Sequence, residues 1–156
     1  MKTIQYIKGD ATCPHAEGNK IIAHICNDIG GWGKGFVTAI SKRWKKPEQQ
    51  YREWFKSNEN FNLGEIQIVQ AEEEIWVCNM IAQHKIITKS NILPIRYESV
   101  EECLLKLAEE ALPLNANINM PRIGCGLAGG KWEEIEPIIE RTLLAKNVEV
   151  YVYDFE

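Results

Sequence analysis

Asn27-Asp28-Ile29-Gly30-Gly31-Trp32-Gly33-Lys34-Gly35 places four glycines in nine residues. An apolar run from Lys20 to Ile25 precedes it, and Phe36, Val37, Ile40 and Trp44 follow at helical spacing. The stretch therefore reads as a strand ending near Asn27, a turn of glycines, and the start of a helix. A second stretch repeats the design. Asn117 to Ile123 reads as a strand, and Gly124-Cys125-Gly126-Leu127-Ala128-Gly129-Gly130 reads as a turn. Trp132, Ile135, Ile138, Ile139, Leu143 and Leu144 then mark a helix. Such turns bring unpaired N–H groups and a helix N-terminus to the strand ends, where open α/β sheets bind ligands. Glycine lets the backbone approach a ligand closely. One loop of this kind reads equally well as a tight strand–helix turn. Two in one small chain suggest a diphosphate gripped from both sides.

The remaining segments extend the alternation. Thr3 to Ile7 and Glu65 to Val69 alternate as strands do, and Ile75 to Ile81 is a continuous apolar run, a buried strand. Glu72 to Glu74 makes a turn between the last two. Pro47 marks the start of a helix with Tyr51, Trp54 and Phe55 on one face. Val100, Cys103, Leu104, Leu107, Ala108 and Ala111 give Ser99 to Leu112 a helical stripe, and Val148 to Phe155 closes with a strand. Gln83 to Pro94 is irregular and polar, which predicts a mobile loop. Strands alternating with helices indicate a layered α/β sheet, and the lack of repeats or linkers predicts one domain over 1–156.

Composition narrows the function. The chain has 156 residues, 45% of them hydrophobic, with a formal net charge of −4, which suits one compact domain. Lys42, Arg43, Lys45 and Lys46 cluster but form no long basic stripe, so nucleic acid is not an expected partner. No apolar run is long enough to span a bilayer, and the opening MKTIQYIKGD lacks the features of a signal peptide. Cys13, Cys26, Cys78, Cys103 and Cys125 are odd in number and lack CxxC spacing, so reduced thiols in a cytoplasm are expected. Cys13-Pro14-His15 and His24-Ile25-Cys26 offer the ligand count of a zinc site, but the spacing within each pair is too short. No metal or other cofactor is expected.

Two common nucleotide motifs fail on inspection. A Walker loop needs Ser or Thr after Gly-Lys, and Gly35 follows Gly33-Lys34. A dinucleotide fingerprint needs Gly-x-Gly-x-x-Gly, which Gly31-Trp32-Gly33-Lys34-Gly35 does not supply. The chain instead resembles the macrodomain family almost end to end. The likeness lies in Lys8-Gly9-Asp10-Ala11-Thr12, in Ala23-His24-Ile25-Cys26-Asn27, in Gly31 to Gly35, and in Met120-Pro121-Arg122-Ile123-Gly124-Cys125-Gly126-Leu127-Ala128-Gly129-Gly130. The first block is similar to the family's ADP-ribose-1″-phosphate phosphatases. Pro121 to Leu127 is similar to its terminal ADP-ribose protein glycohydrolases.

The resemblance implies a three-layer α/β/α fold around a mixed sheet, and binding of ADP-ribose or an ADP-ribosylated substrate. Asp10 matches the acid that accepts from the adenine amino group, with the Ala11 backbone beside it. Asn27 matches an asparagine near the distal ribose. Gly33, Lys34, Gly35 and Phe36 match one phosphate loop; Gly124, Cys125, Gly126, Leu127 and Ala128 match the other. Tyr153 and Asp154 fall where the family often supports the adenine. Two departures stand out. The lysine that the glycohydrolases carry just after the fourth strand is Gln83 here, which cannot form a Schiff base, although Lys85 lies two residues on. The aspartate after Gly-Cys-Gly-Leu is Ala128. Hydrolysis, phosphatase-like, and ADP-ribose reading without turnover both remain open on this basis.

Three residues are candidates for chemistry. His24 shares a strand face with Cys26 and reads as a base, a phosphate partner, or a hydrogen-bonded structural histidine. His84, in the irregular loop, is placed to close over the distal ribose or to be merely solvated. Asp28 can orient a water on that ribose or shape the turn. Cys125, at the expected helix N-terminus, sits where a thiol pKa is ordinarily lowered.

Overall fold

The computed structural model describes residues 2–155. Six strands form one sheet: β1 (Gln5–Lys8), β2 (Lys20–Asn27), β3 (Ile66–Glu72), β4 (Ile75–Gln83), β5 (Asn117–Met120) and β6 (Val150–Asp154). Their order is β1-β6-β5-β2-β4-β3, with every neighbouring pair parallel except β3 with β4. The sheet is therefore mixed, with its antiparallel strand at one edge. Helices α1 (Phe36–Arg43) and α2 (Lys46–Ser57) cover one face; α3 (Tyr97–Leu114) and α4 (Trp132–Thr142) cover the other. A 3₁₀ turn, Leu144–Lys146, leads into β6.

Side-chain alternation divides the core between the layers. Ile21 and Ala23 of β2 pack with the α3/α4 cluster, whereas Ile22 and Cys26 pack with the α1/α2 cluster. In α3, Val100, Cys103, Leu104, Leu107, Ala108 and Ala111 are all buried, the stripe that the spacing predicts. The helix is longer than expected, because Pro113 is accommodated in its last turn and Asn115 stops it in a left-handed conformation.

The central strands end at unequal heights. Asn119 of β5 pairs with Ile22 of β2, so Met120 lies level with Ala23, while β2 runs four residues further to Asn27. Pro121 has no N–H with which to continue the ladder, which accounts for the short β5 and for the expected strand to Ile123 stopping early. A notch results at the carboxyl edge of the sheet, between β6 and β2. The glycine-rich segment 121–130 enters it.

The segment after β4 also differs from expectation. Thr88 and Asn91 form an isolated bridge, and Asn91 Nδ2 donates to the His84 and Ile86 carbonyls at 2.8 and 3.1 Å. His84 N–H donates to the Pro94 carbonyl at 2.8 Å. These bonds tie the loop to itself where composition predicts mobility.

Candidate functional site

Five strands are parallel, so their carboxyl ends share one edge. Along it, in spatial order, follow Asp10 after β1, Phe155 after β6, the 121–130 loop after β5, the 27–35 loop after β2, and His84 after β4. At about 4.8 Å per strand spacing, the β1 and β4 ends lie about 19 Å apart. That edge gathers the expected site residues, other than the buried His24, in a line.

At the β1 end is a cavity of about 430 Å³ lined by Asp10, Ala11, Phe36, Pro121, Tyr153 and Phe155, among others. Asp10 Oδ1 accepts from the Thr12 N–H at 2.9 Å and the Thr12 hydroxyl at 2.7 Å, which fixes the carboxylate and leaves Oδ2 to accept from a ligand. Tyr153 is buried, and its hydroxyl is committed: it donates to Asn119 Oδ1 at 2.7 Å and accepts from the His15 N–H at 3.0 Å. Asp154 is drawn away into a bidentate pair with Arg122, at 2.6 and 3.0 Å. The most exposed aromatic ring of that lining is that of Phe155, 78% exposed. In the sequence Phe155 reads only as one more alternating residue of the closing strand, after Tyr151 and Tyr153, which gives it no separate signal.

In the first loop, Asn27 is a framework residue. Its Oδ1 accepts from the N–H groups of Ile29 (3.0 Å) and Gly31 (2.9 Å), and its Nδ2 donates to the Gly31 carbonyl at 3.1 Å. The Tyr51 hydroxyl, from α2, donates to the Asn27 carbonyl at 2.6 Å. These bonds shape the turn from within and anchor it to the helix layer. Gly33 and Lys34 make no hydrogen bond among the described residues, so their N–H groups are available. Gly35 has φ +85°, a conformation costly to any L side chain, and turns the chain into α1, whose first N–H groups point out of the helix end.

In the second loop, Gly130 N–H donates to the Gly124 carbonyl at 2.6 Å, closing the turn, and a Cβ on Gly130 would lie 2.5 Å from that oxygen. Leu127 is exposed, and a Cβ at Gly35 would stand 3.7 Å from its Cδ1, so the two loops face each other across a side chain's width. Ala128 is buried, its carbonyl accepting from Ile95 N–H at 3.0 Å. Gly124, Cys125 and Gly126 complete the turn. The expectation for Cys125 is corrected: α4 begins only at Trp132, so no helix end lowers the thiol. Burial pushes it up, the Arg122 charge opposing in part, and its S–H points at the Ile123 carbonyl at 3.5 Å.

The three candidates for chemistry separate. His24 is 1% exposed, its Nε2 2.6 Å from Asn79 Oδ1, with Trp32 edge-on at 5.3 Å and Phe36 at 6.0 Å. Burial pushes its imidazole down to about 4, so it is neutral in the core. Asp28 and His84, 56 residues apart, meet: His84 Nδ1 lies 2.7 Å from Asp28 Oδ2. The other carboxylate oxygen accepts from Lys85 N–H at 2.8 Å, and Asp28 N–H donates to the Gln83 carbonyl at 3.0 Å. Lys85 is held at φ +57°, its carbonyl taking a bond from Gln83 Nε2 at 2.9 Å. Gln83 and Lys85 thus serve to hold the turn that presents His84. The carboxylate fixes Nδ1 as donor and leaves Nε2 as an acceptor toward the edge. Nothing local in the sequence signals this pair; it follows from β2 and β4 being neighbours.

The Macro domain family model matches residues 23–139. An ADP-ribose 1″-phosphate phosphatase of Candida albicans is 30% identical over 88% of this chain and 92% of its own length. The chain spans 18% of the mouse Chromodomain-helicase-DNA-binding protein 1-like, at 29% identity over 98% of its own residues. Among solved structures, a protein of unknown function from Bacteroides thetaiotaomicron superposes with a TM-score of 0.95 at 55% identity, covering 98% of both chains. A macrodomain protein from Streptomyces coelicolor gives 0.86 at 48% identity, over 97% of this chain and 98% of the other. The chain belongs to the Macro domain family.

Proposed function

We propose that the whole chain, as one macrodomain, binds ADP-ribose or an ADP-ribosyl derivative along the carboxyl edge of its sheet, and hydrolyses a substituent on the terminal ribose. One observation carries this reading. The strand order lines up an acid and an aromatic, two loops with free amides, and an Asp–His pair, an arrangement that suits base, diphosphate and sugar in turn. Asp10 Oδ2 accepts from the adenine amino group, with the Ala11 backbone beside it and Phe155 against the ring. The amides of Gly33 to Phe36 and those of Gly124, Gly126, Leu127 and Ala128 take the diphosphate without needing lysine charge, while the Cys125 N–H is spent on the Arg122 carbonyl at 3.3 Å. This accommodates an anionic ligand on a chain of net charge −4, whereas a nucleic-acid surface would rest on phosphate neutralisation.

At the far end, Asp28 orients His84 so that Nε2 takes a proton from the attacking water. His24 has no part in the step; it is packed beneath Trp32 and Phe36. The phosphatase activity of the Candida relative favours ADP-ribose-1″-phosphate as substrate, with water displacing the phosphate. Five free thiols suit a cytoplasm, and no helix among the described residues is long and apolar enough to cross a membrane.

Calorimetric titration with ADP-ribose, native against Asp10→Ala, tests binding; phosphate release from ADP-ribose-1″-phosphate tests turnover. Saturable binding weakened by Asp10→Ala, with release above background, is expected. A native protein that ignores millimolar ADP-ribose refutes the whole reading. Binding without release on a panel of conjugates leaves the second reading, a reader module, which the Gln83 and Ala128 departures favour.

A further inference from the structure

We propose that the adenosine end of this cleft is built for a second phosphate, on the 2′-hydroxyl of the adenosine ribose, taken by Lys42 and Arg43. The inference rests on the ADP-ribose reading and adds a preference within the same site. Helix α1 runs along the cleft: Phe36 and Ala39, one turn apart, line the 430 Å³ cavity, and so do Lys42 and Arg43 in the last turn. At 1.5 Å per residue, Arg43 stands about 10 Å beyond Phe36 along the helix. The two cations are therefore displaced from the loop amides assigned to the diphosphate and lie beside the Asp10 pocket.

Arg43 is anchored there. Its Nη1 meets Cys13 Sγ at 2.7 Å, and its guanidinium lies 5.4 Å from the centre of the Trp44 ring. A planar fork held by its edge and one face keeps N–H donors for a phosphate, already oriented. The Lys42 side chain has no hydrogen bond or ion pair among the described residues. Of the neighbouring acids, Glu48 is engaged with Arg52 and Ser41 and Glu72 with the Trp44 indole N–H, while Asp10, on the same cavity, keeps Oδ2 for the adenine amino group. Cations in a last turn also complement the helix dipole. That role requires neither the Cys13 and Trp44 anchors nor a place on the cleft. The position on the sugar follows from connectivity. C2′ adjoins the carbon that bears the base, and Cys13 follows Asp10 by three residues, so the phosphate nearest the base is the one Arg43 reaches.

The test compares ADP-ribose with its 2′-phosphate by calorimetry, on the native protein and on Lys42→Gln/Arg43→Gln. The native protein should bind the 2′-phosphate about tenfold more tightly, the size of one exposed charge-assisted contact. The double variant should bind the two ligands alike, with a melting curve that confirms it is folded. Equal affinities in the native protein, or a preference that survives in the variant, overturn the inference and leave ADP-ribose binding intact. Failure of both ligands to bind the native protein overturns the reading beneath it as well.

Discussion

Lowering the pH from 7.0 to 5.0 should cost the native protein stability that a His24→Gln variant keeps. His24 is buried against Trp32, bonded to Asn79, and pushed by burial down to about 4. In the unfolded chain a histidine titrates near 6.5. Between those two values the unfolded chain binds a proton that the folded one refuses, so unfolding free energy rises with pH. The stabilising contribution is complete above pH 6.5 and drains away as pH falls toward 4. At 1.36 kcal/mol per pH unit, the interval from 6.5 to 5.0 amounts to about 2 kcal/mol. Glutamine retains an amide that can donate to Asn79 and does not titrate. Urea unfolding of both proteins at both pH values yields a double difference in which His15, His84 and the carboxylates cancel. The native protein should lose about 2 kcal/mol more than the variant. Equal losses would mean that folded His24 takes up a proton, and the buried histidine would return as a candidate acid or base.

Asp28→Asn should lower phosphate release from ADP-ribose-1″-phosphate by about 10²-fold or more, while calorimetric affinity for ADP-ribose changes by less than about threefold. Undiminished release would remove the Asp28–His84 pair from the chemistry. Gly33 has open space where a Cβ would go, whereas Gly130 has the Gly124 carbonyl at 2.5 Å. Gly33→Ala should therefore leave the melting temperature unchanged and weaken ADP-ribose binding; Gly130→Ala should lower melting by roughly 3–10 °C. The reverse pattern would contradict the assignment of the first loop to the ligand. Cys125→Ser should retain turnover, since burial disfavours the thiolate; complete loss of phosphate release would reinstate the cysteine as a nucleophile.

The layered fold was legible because its signals are local. The α3 stripe from Val100 to Ala111, the apolar run of β4 and the two glycine turns each announce themselves within a dozen residues. Boundaries slipped where one backbone group decides, as when Pro121 ends β5 at Met120. The site was half legible. The two glycine loops stand out from the residues alone, and Asp10 is singled out by a contiguous motif through the family resemblance. Asp28 and His84 were each noticed, but their 2.7 Å contact depends on which strands lie side by side. The burial of His24 depends on α1 and the first loop folding Trp32 and Phe36 over β2, which strand alternation alone does not reveal. Asn27 is a similar case: the Tyr51 bond that turns it into a strut comes from a helix 24 residues away.

The unequal strand heights bear on how such proteins diversify. Residues that would meet the nucleobase hang from β1 and β6, and those proposed to meet the remote sugar hang from β2 and β4. All lie beyond or at the last rungs of backbone pairing, so an exchange at one extremity leaves the ladder and the opposite extremity undisturbed. Selectivity for what is carried and the fate of what is attached can thus drift independently on an unaltered scaffold.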